Sequence, residues 1–178
     1  MRRLFENLKK GIDQWRNIEL IKKLHKSGQY LESNSICNKI IVLWPNSFYG
    51  YYYRGLNNEK LKLFKEAITD FEIAEVKLHN DKRKNLLDYY FAVIPLNLSH
   101  VHFKNQDIPN ALQNVDRAIA IDTKSVEALN WRSTMKEDLN DIKGAIEDIN
   151  EGLKRKPNNK GLIEKRNQLT YILTSRVG

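Results

Sequence analysis

One set of spacings recurs in column after column of this chain. Ser33, Ala67, Ala111 and Ala145 lie 34, 44 and 34 residues apart. The same intervals separate Tyr30, Phe64, Ile108 and Ile142, and again Cys37, Phe71, Val115 and Ile149. They return in Ile40, Ala74, Ala118 and Gly152, and in Ile21, Gly55, Ser99 and Ser133. A last column, Pro45, His79, Thr123 and Pro157, keeps proline only at its ends. The shared spacing describes a 34-residue unit present four times, with ten residues inserted between the second and third. A unit of this length cannot bury its apolar face alone and must stack on its neighbours.

The residue types in the columns say what the unit is. A small residue (Gly55, Ser99, Ser133) lets two antiparallel helices approach, and a second small residue (Ala67, Ala111, Ala145) sits where the partner crosses. A larger apolar residue four positions on (Phe71, Val115, Ile149) shares that helix face. The next apolar or small residue, three further on, continues the stripe. Short polar turns lie between: Ser27-Gly28-Gln29, Asn105-Gln106-Asp107 and Asn140-Asp141. Asp107 and Asp141 are placed to cap the following helices, and Pro109 falls in a first turn, where a missing N–H costs nothing. The spacing predicts helix pairs over 14–27 with 30–43, 47–61 with 64–78, 92–104 with 108–121, and 126–139 with 142–155. The insertion at 82–91 is expected to lengthen the first helix of the third unit by roughly 15 Å. Pro95 should bend that helix or mark where it starts afresh. A head at residues 1–13, with Leu4, Phe5, Leu8 and Ile12, and a tail at 160–178, with Leu162, Ile163, Leu169, Ile172 and Leu173, read as capping helices.

The pattern resembles the tetratricopeptide repeat family. The resemblance is clearest in Tyr51-Tyr52-Tyr53-Arg54-Gly55-Leu56, Phe64-Lys65-Glu66-Ala67-Ile68, Phe71 and Ala74, and in Ala145 to Leu153 followed by Lys156-Pro157-Asn158-Asn159. Gly28, Tyr30 and Trp44-Pro45-Asn46 carry it into the first unit. It covers residues 14–159 and implies an all-α, right-handed α-solenoid of four helix-turn-helix units (14–47, 48–81, 92–125 and 126–159). Residues 1–178 are then a single domain.

Composition narrows the function. With 41% hydrophobic residues, and only eight glycines and four prolines, a disordered or collagen-like chain is excluded and helix is favoured. No apolar run approaches a membrane span, and the start reads as no secretory signal. The single cysteine, Cys37, can form no internal disulfide, which fits a reducing cytoplasm. The net charge of +8 is uneven: +5 over residues 1–47 (nine basic, four acidic), near balance through the middle, −1 over 126–159 and +3 over 160–178.

No catalytic grouping is visible. Phosphate-loop, dinucleotide-fold and nucleophile-elbow patterns are absent. His100 and His102 diverge on a helix, Glu147 and Glu151 read as solvated charge, and Cys37 occupies a core column. The Asn97-Leu98-Ser99 sequon falls within a predicted helix. The reading is therefore of a protein that is not an enzyme and needs no cofactor or metal.

The resemblance implies that first helices of successive units line a concave groove for an extended or helical peptide. Carried over unit by unit, the groove slots are Trp15, Ile18, Lys22, His25 and Lys26; then Tyr49, Tyr52, Tyr53, Leu56 and Lys60. The third and fourth units add Leu96, Asn97, His100, Phe103 and Lys104, and Asn130, Trp131 and Glu137. Aromatics with basic flanks suit a protein segment with apolar anchors and acidic groups, as an adaptor or assembly subunit would bind. Pro95-Leu96-Asn97-Leu98-Ser99 is similar to the co-chaperone and immunophilin type, which clamps a chaperone's C-terminal carboxylate with Lys, Asn and Arg. Here Tyr52, Leu56, Glu127 and Trp131 stand where most of those groups would be, so a chaperone tail is not the expected ligand. Two alternatives use the basic charge: nucleic-acid binding, for which no module is visible, and membrane-surface attachment through residues 1–12. Self-association stays open.

Overall fold

Nine α-helices follow one another among the described residues of a computed structural model, which covers residues 2–81 and 87–175, with side chains from residue 11 onward. They are α1 (Arg2–Lys26), α2 (Tyr30–Leu43), α3 (Tyr49–Lys60), α4 (Phe64–His79), α5 (Asp88–Lys104), α6 (Ile108–Ile121), α7 (Val126–Asp138), α8 (Ile142–Arg155) and α9 (Lys160–Ser175). No strand occurs among these residues. Each helix packs on the next in sequence. Beyond that, α1 meets α3 and α3 meets α5, so the first helices of successive pairs form one layer of a solenoid.

The turns inside the pairs share one geometry. Gly28, Lys62, Gln106 and Asn140 carry φ of 79°, 61°, 63° and 65° and recur at the repeat spacing. In each turn the next residue's amide returns to a carbonyl five residues back: Gln29 to Leu24, Leu63 to Asn58, Asp107 to His102, Asp141 to Lys136. This left-handed closure satisfies carbonyls at the end of the first helix. In the third and fourth units the second helix then begins on a side-chain cap: Asp107 accepts from the Asn110 amide and Asp141 from the Gly144 amide. Ser125 caps α7 in the same way, accepting from the Ala128 amide.

The predicted columns are the core. Ser33, Ala67, Ala111 and Ala145 are wholly buried, as are Cys37, Phe71, Val115 and Ile149. A Cβ added at Gly55 would lie 2.9 Å from the Phe71 ring, so the small-residue column does mark the close approach of α3 and α4.

Three expectations change. The head is no separate cap, because α1 runs unbroken from Arg2 to Lys26. Gly11 alone costs only about 1 kcal/mol and does not end a helix. The insertion does not add ten helical residues: α5 begins at Asp88 behind the non-helical Leu87, and residues 82–86 lie outside the described residues. Four residues, 88–91, extend α5, roughly 6 Å of helix. Finally, Pro95 lies inside α5 and does not start it afresh.

Two arginine bridges lock neighbouring pairs together. Arg54 Nε donates to Asp70 Oδ2 at 2.9 Å, and its Nη1 donates to Asn38 of the preceding pair at 2.6 Å. Arg132 repeats this on Asp148 (Nε to Oδ2, 3.0 Å) and on Asp116 of its preceding pair (2.6 Å). In the third unit the arginine slot holds Leu98, which is buried instead.

Candidate functional site

The layer of first helices is joined by side chains that cross between units. His25 Nδ1 lies 2.7 Å from Asn57 Oδ1, linking α1 to α3. Asn57 in turn donates to Ser33 Oγ at 2.7 Å and Asn34 Oδ1 at 2.9 Å. Lys104 donates to Glu59 at 2.5 Å, joining α5 to α3, and Lys165 donates to Thr134 Oγ1, joining α9 to α7. These links tie neighbouring helices of the layer into a wall.

On this wall the structure divides the predicted groove residues. Tyr52 and Tyr53 are buried at 6% and 8% exposure. Tyr52 packs on Tyr90 at 5.2 Å and on Phe71 at 6.1 Å. Burial drives both phenols well above their usual range; the Tyr52 hydroxyl meets Asn97 and that of Tyr53 meets Tyr90. Tyr49 is half-buried beside Phe48 at 4.1 Å, and Leu56 packs on the same cluster. These side chains hold α3 to α5 and leave little surface for a ligand. Trp15, by contrast, is 63% exposed. Lys22 is exposed and paired with Glu19 at 2.8 Å, and Lys26 is exposed.

The groove residues of α5 and α7 make a second grouping. The Trp131 indole N–H donates to Ser99 Oγ at 2.8 Å, which fixes the ring across the gap between the helices. The His100 ring stands edge-on to it at 4.3 Å and Phe103 at 5.3 Å. All three rings are half-buried, with Asn97 beside them on α5. Burial lowers the His100 pKa to about 4; Glu59 opposes the shift, and Lys104 and Lys60 add to it. The ring is therefore neutral at physiological pH and packs as an aromatic.

One rim of this cleft is cationic. Lys26, Lys60 and Lys104 occupy the same slot in three successive units and are all exposed. Glu59, which is buried, sits between Lys60 (3.9 Å) and Lys104. The next slot holds Asp138, so the basic edge ends at the fourth unit.

Reasoning from the sequence missed Glu59, Tyr90 and the Arg54 and Arg132 bridges. The bridges had a signal: Arg54 with Asp70 and Arg132 with Asp148 share a 16-residue separation. Each histidine has a structural partner. His102 meets Asp107 at 2.9 Å and His79 the Glu75 carbonyl at 2.9 Å. Cys37 is wholly buried, and desolvation raises its thiol to about 12. No group of three potential metal ligands occurs among the described residues, and no described helix is long and apolar enough to cross a membrane.

Neither a family model nor a curated protein matches the chain. Solved structures do. The chain is 17% identical to MamA 41-end from Desulfovibrio magneticus RS-1, with a TM-score of 0.68 over 83% of this chain and 77% of that one. It is 16% identical to YrrB, described as a tetratricopeptide-repeat protein with an unusual peptide-binding site (TM-score 0.67; 98% of this chain, 84% of that one). It is 19% identical to the first repeat domain of Spaghetti (RPAP3) bound to the HSP90 peptide SRMEEVD (TM-score 0.57; 70% and 90%). These likenesses show the fold: the chain folds as a tetratricopeptide-repeat-like helical solenoid.

Proposed function

We propose that the chain is a non-catalytic interaction module that captures a segment of another protein on its inner wall, as an adaptor or assembly subunit. The observation that carries this reading is the cleft of His100, Phe103 and Trp131, half-exposed and bordered by Lys60 and Lys104. Aromatic anchors beside cations suit a ligand that places an apolar side chain next to a carboxylate. Binding of peptides by solenoids of this fold, as with YrrB and the Spaghetti domain, supports it. A chaperone tail is not the proposed ligand, since Glu127 and Trp131 replace cations that its terminal carboxylate needs. The single, buried thiol suits a reducing compartment such as the cytoplasm.

The test is a selection of displayed random peptides on the full chain and on a Phe103→Ala, Lys60→Gln variant. These two residues are chosen over Tyr52, whose removal would open the core. The expected result is enrichment of peptides pairing an aromatic or aliphatic residue with Asp or Glu, lost in the variant at unchanged helix content. Recovery of the same peptides by both proteins would refute the assignment.

A further inference from the structure

A second feature lies at the other end of α5 and does not depend on the aromatic cleft. A cavity of about 680 Å³ opens between the start of α5 and the turn from α6 to α7. Phe91, Leu96 and Ile121 contribute to its apolar lining, and Asp88, Asp122 and Glu127 to its polar part; no basic residue lines it among the described residues. The cavity exists because α6 and α7 meet over less surface than other consecutive helices, while the extra turn of α5 adds a wall. Asp88 and Glu127 stand in the first turns of α5 and α7. Neither has an ion-pair partner among the described residues. The Asp122 carboxylate accepts the Lys124 backbone amide.

The complementary chemistry is at the far end of the same molecule. Tyr49 opens α3, and Trp15 is its counterpart one unit earlier, yet α1 begins at Arg2. The 13-residue overhang amounts to roughly 20 Å of helix. Its sequence, Arg2-Arg3-Leu4-Phe5-Glu6-Asn7-Leu8-Lys9-Lys10, carries four cations against one acid, with Leu4 and Leu8 one helical turn apart. Because α1 is one continuous helix, this head cannot fold back across α3 and α5 to the cavity of its own chain.

We propose that the cavity receives the basic head of α1 from a second copy of the chain, joining copies head to tail. The apolar residues of the head enter the lining, and its cations meet the three carboxylates. Such a contact is heterologous, so it leaves a free head and a free cavity at the ends and propagates unless it closes into a ring. Its charged rim makes it weaken with added salt.

Sedimentation of the full chain at low salt, over a concentration series, tests this. Two full-length variants are compared: one with Asp122→Lys and Glu127→Lys, the other with Arg2→Glu, Arg3→Glu and Lys9→Glu. The wild type should grow in weight-average mass with concentration, and each variant alone should stay monomeric. A mixture of the two should stop at a one-to-one dimer, since only one intact head and one intact cavity remain to meet; that dimer also shows that both variants are folded. The proposal is overturned by a wild type that stays monomeric, by a variant that associates as the wild type does, or by a mixture that forms no dimer. Flotation of a monomeric wild type with phosphatidylserine-containing vesicles, lost in the head variant, would likewise overturn it and give the head to a membrane surface.

Discussion

Replacing Arg132 with methionine should destabilise the solenoid, and the structure sets the scale. Asp148 is only 4% exposed and receives Arg132 through Nε at 3.0 Å and Nη2 at 2.5 Å, with Lys136 Nζ at 2.9 Å. Removing one partner of a buried pair costs about 3–5 kcal/mol, because a charge is left without compensation. Lys136 remains, so a loss of about 2–3 kcal/mol is expected. In the second unit the slot of Lys136 holds Asn58, a neutral donor 3.0 Å from Asp70. Arg54→Met should therefore cost more than Arg132→Met. The other arm of the Arg132 bridge reaches Asp116, whose side chain is 59% exposed. Asp116→Asn should cost under about 1 kcal/mol. Urea unfolding followed by circular dichroism gives the totals. Amide exchange in α7 and α8 localises them, because a solenoid can open unit by unit. An Arg132→Met loss below about 0.5 kcal/mol, or an Arg54→Met loss smaller than that of Arg132→Met, would refute this account of the bridges.

Three further outcomes follow from particular groups. The His100 pKa of about 4 lies below the ordinary 6.5, so between these values the unfolded chain binds a proton that the folded chain does not. Stability should fall as pH drops from 6.5 towards 4, by at most about 3 kcal/mol, and His100→Gln should flatten that part of a stability-against-pH curve. Cys37, with its thiol raised to about 12, should react with a disulfide reagent on the order of a thousandfold more slowly in the folded chain than in urea; equal rates would contradict its burial. At the shared left-handed turn, Gly28→Ala should lose about 1 kcal/mol in thermal or urea unfolding, whereas Lys62→Gly should gain about 0.5 kcal/mol, since only glycine adopts φ near +60° without strain.

The repeat period fixed much of this molecule before any coordinate was needed. Residues 34 apart occupy equivalent positions, so columns of Ala67, Ala111 and Ala145, or of Phe71, Val115 and Ile149, had to face a shared interior. The helix pairs, their caps at Asp107 and Asp141, and the tetratricopeptide-repeat fold were legible in the chain for that reason. Tertiary structure decided what lies between units. Tyr52 and Trp131 read alike as groove aromatics, yet Tyr52 is sealed by Tyr90 from the next unit and Trp131 keeps an open edge between His100 and Phe103. Periodicity says which side chains are equivalent, but not how closely successive pairs pack, and that spacing sets burial. The same limit hid Glu59 between two lysines, the arginine bridges across pairs, and the cavity left where α6 and α7 stand apart. Each joins residues from different units, and a column of equivalent positions carries no information about the distance between its members.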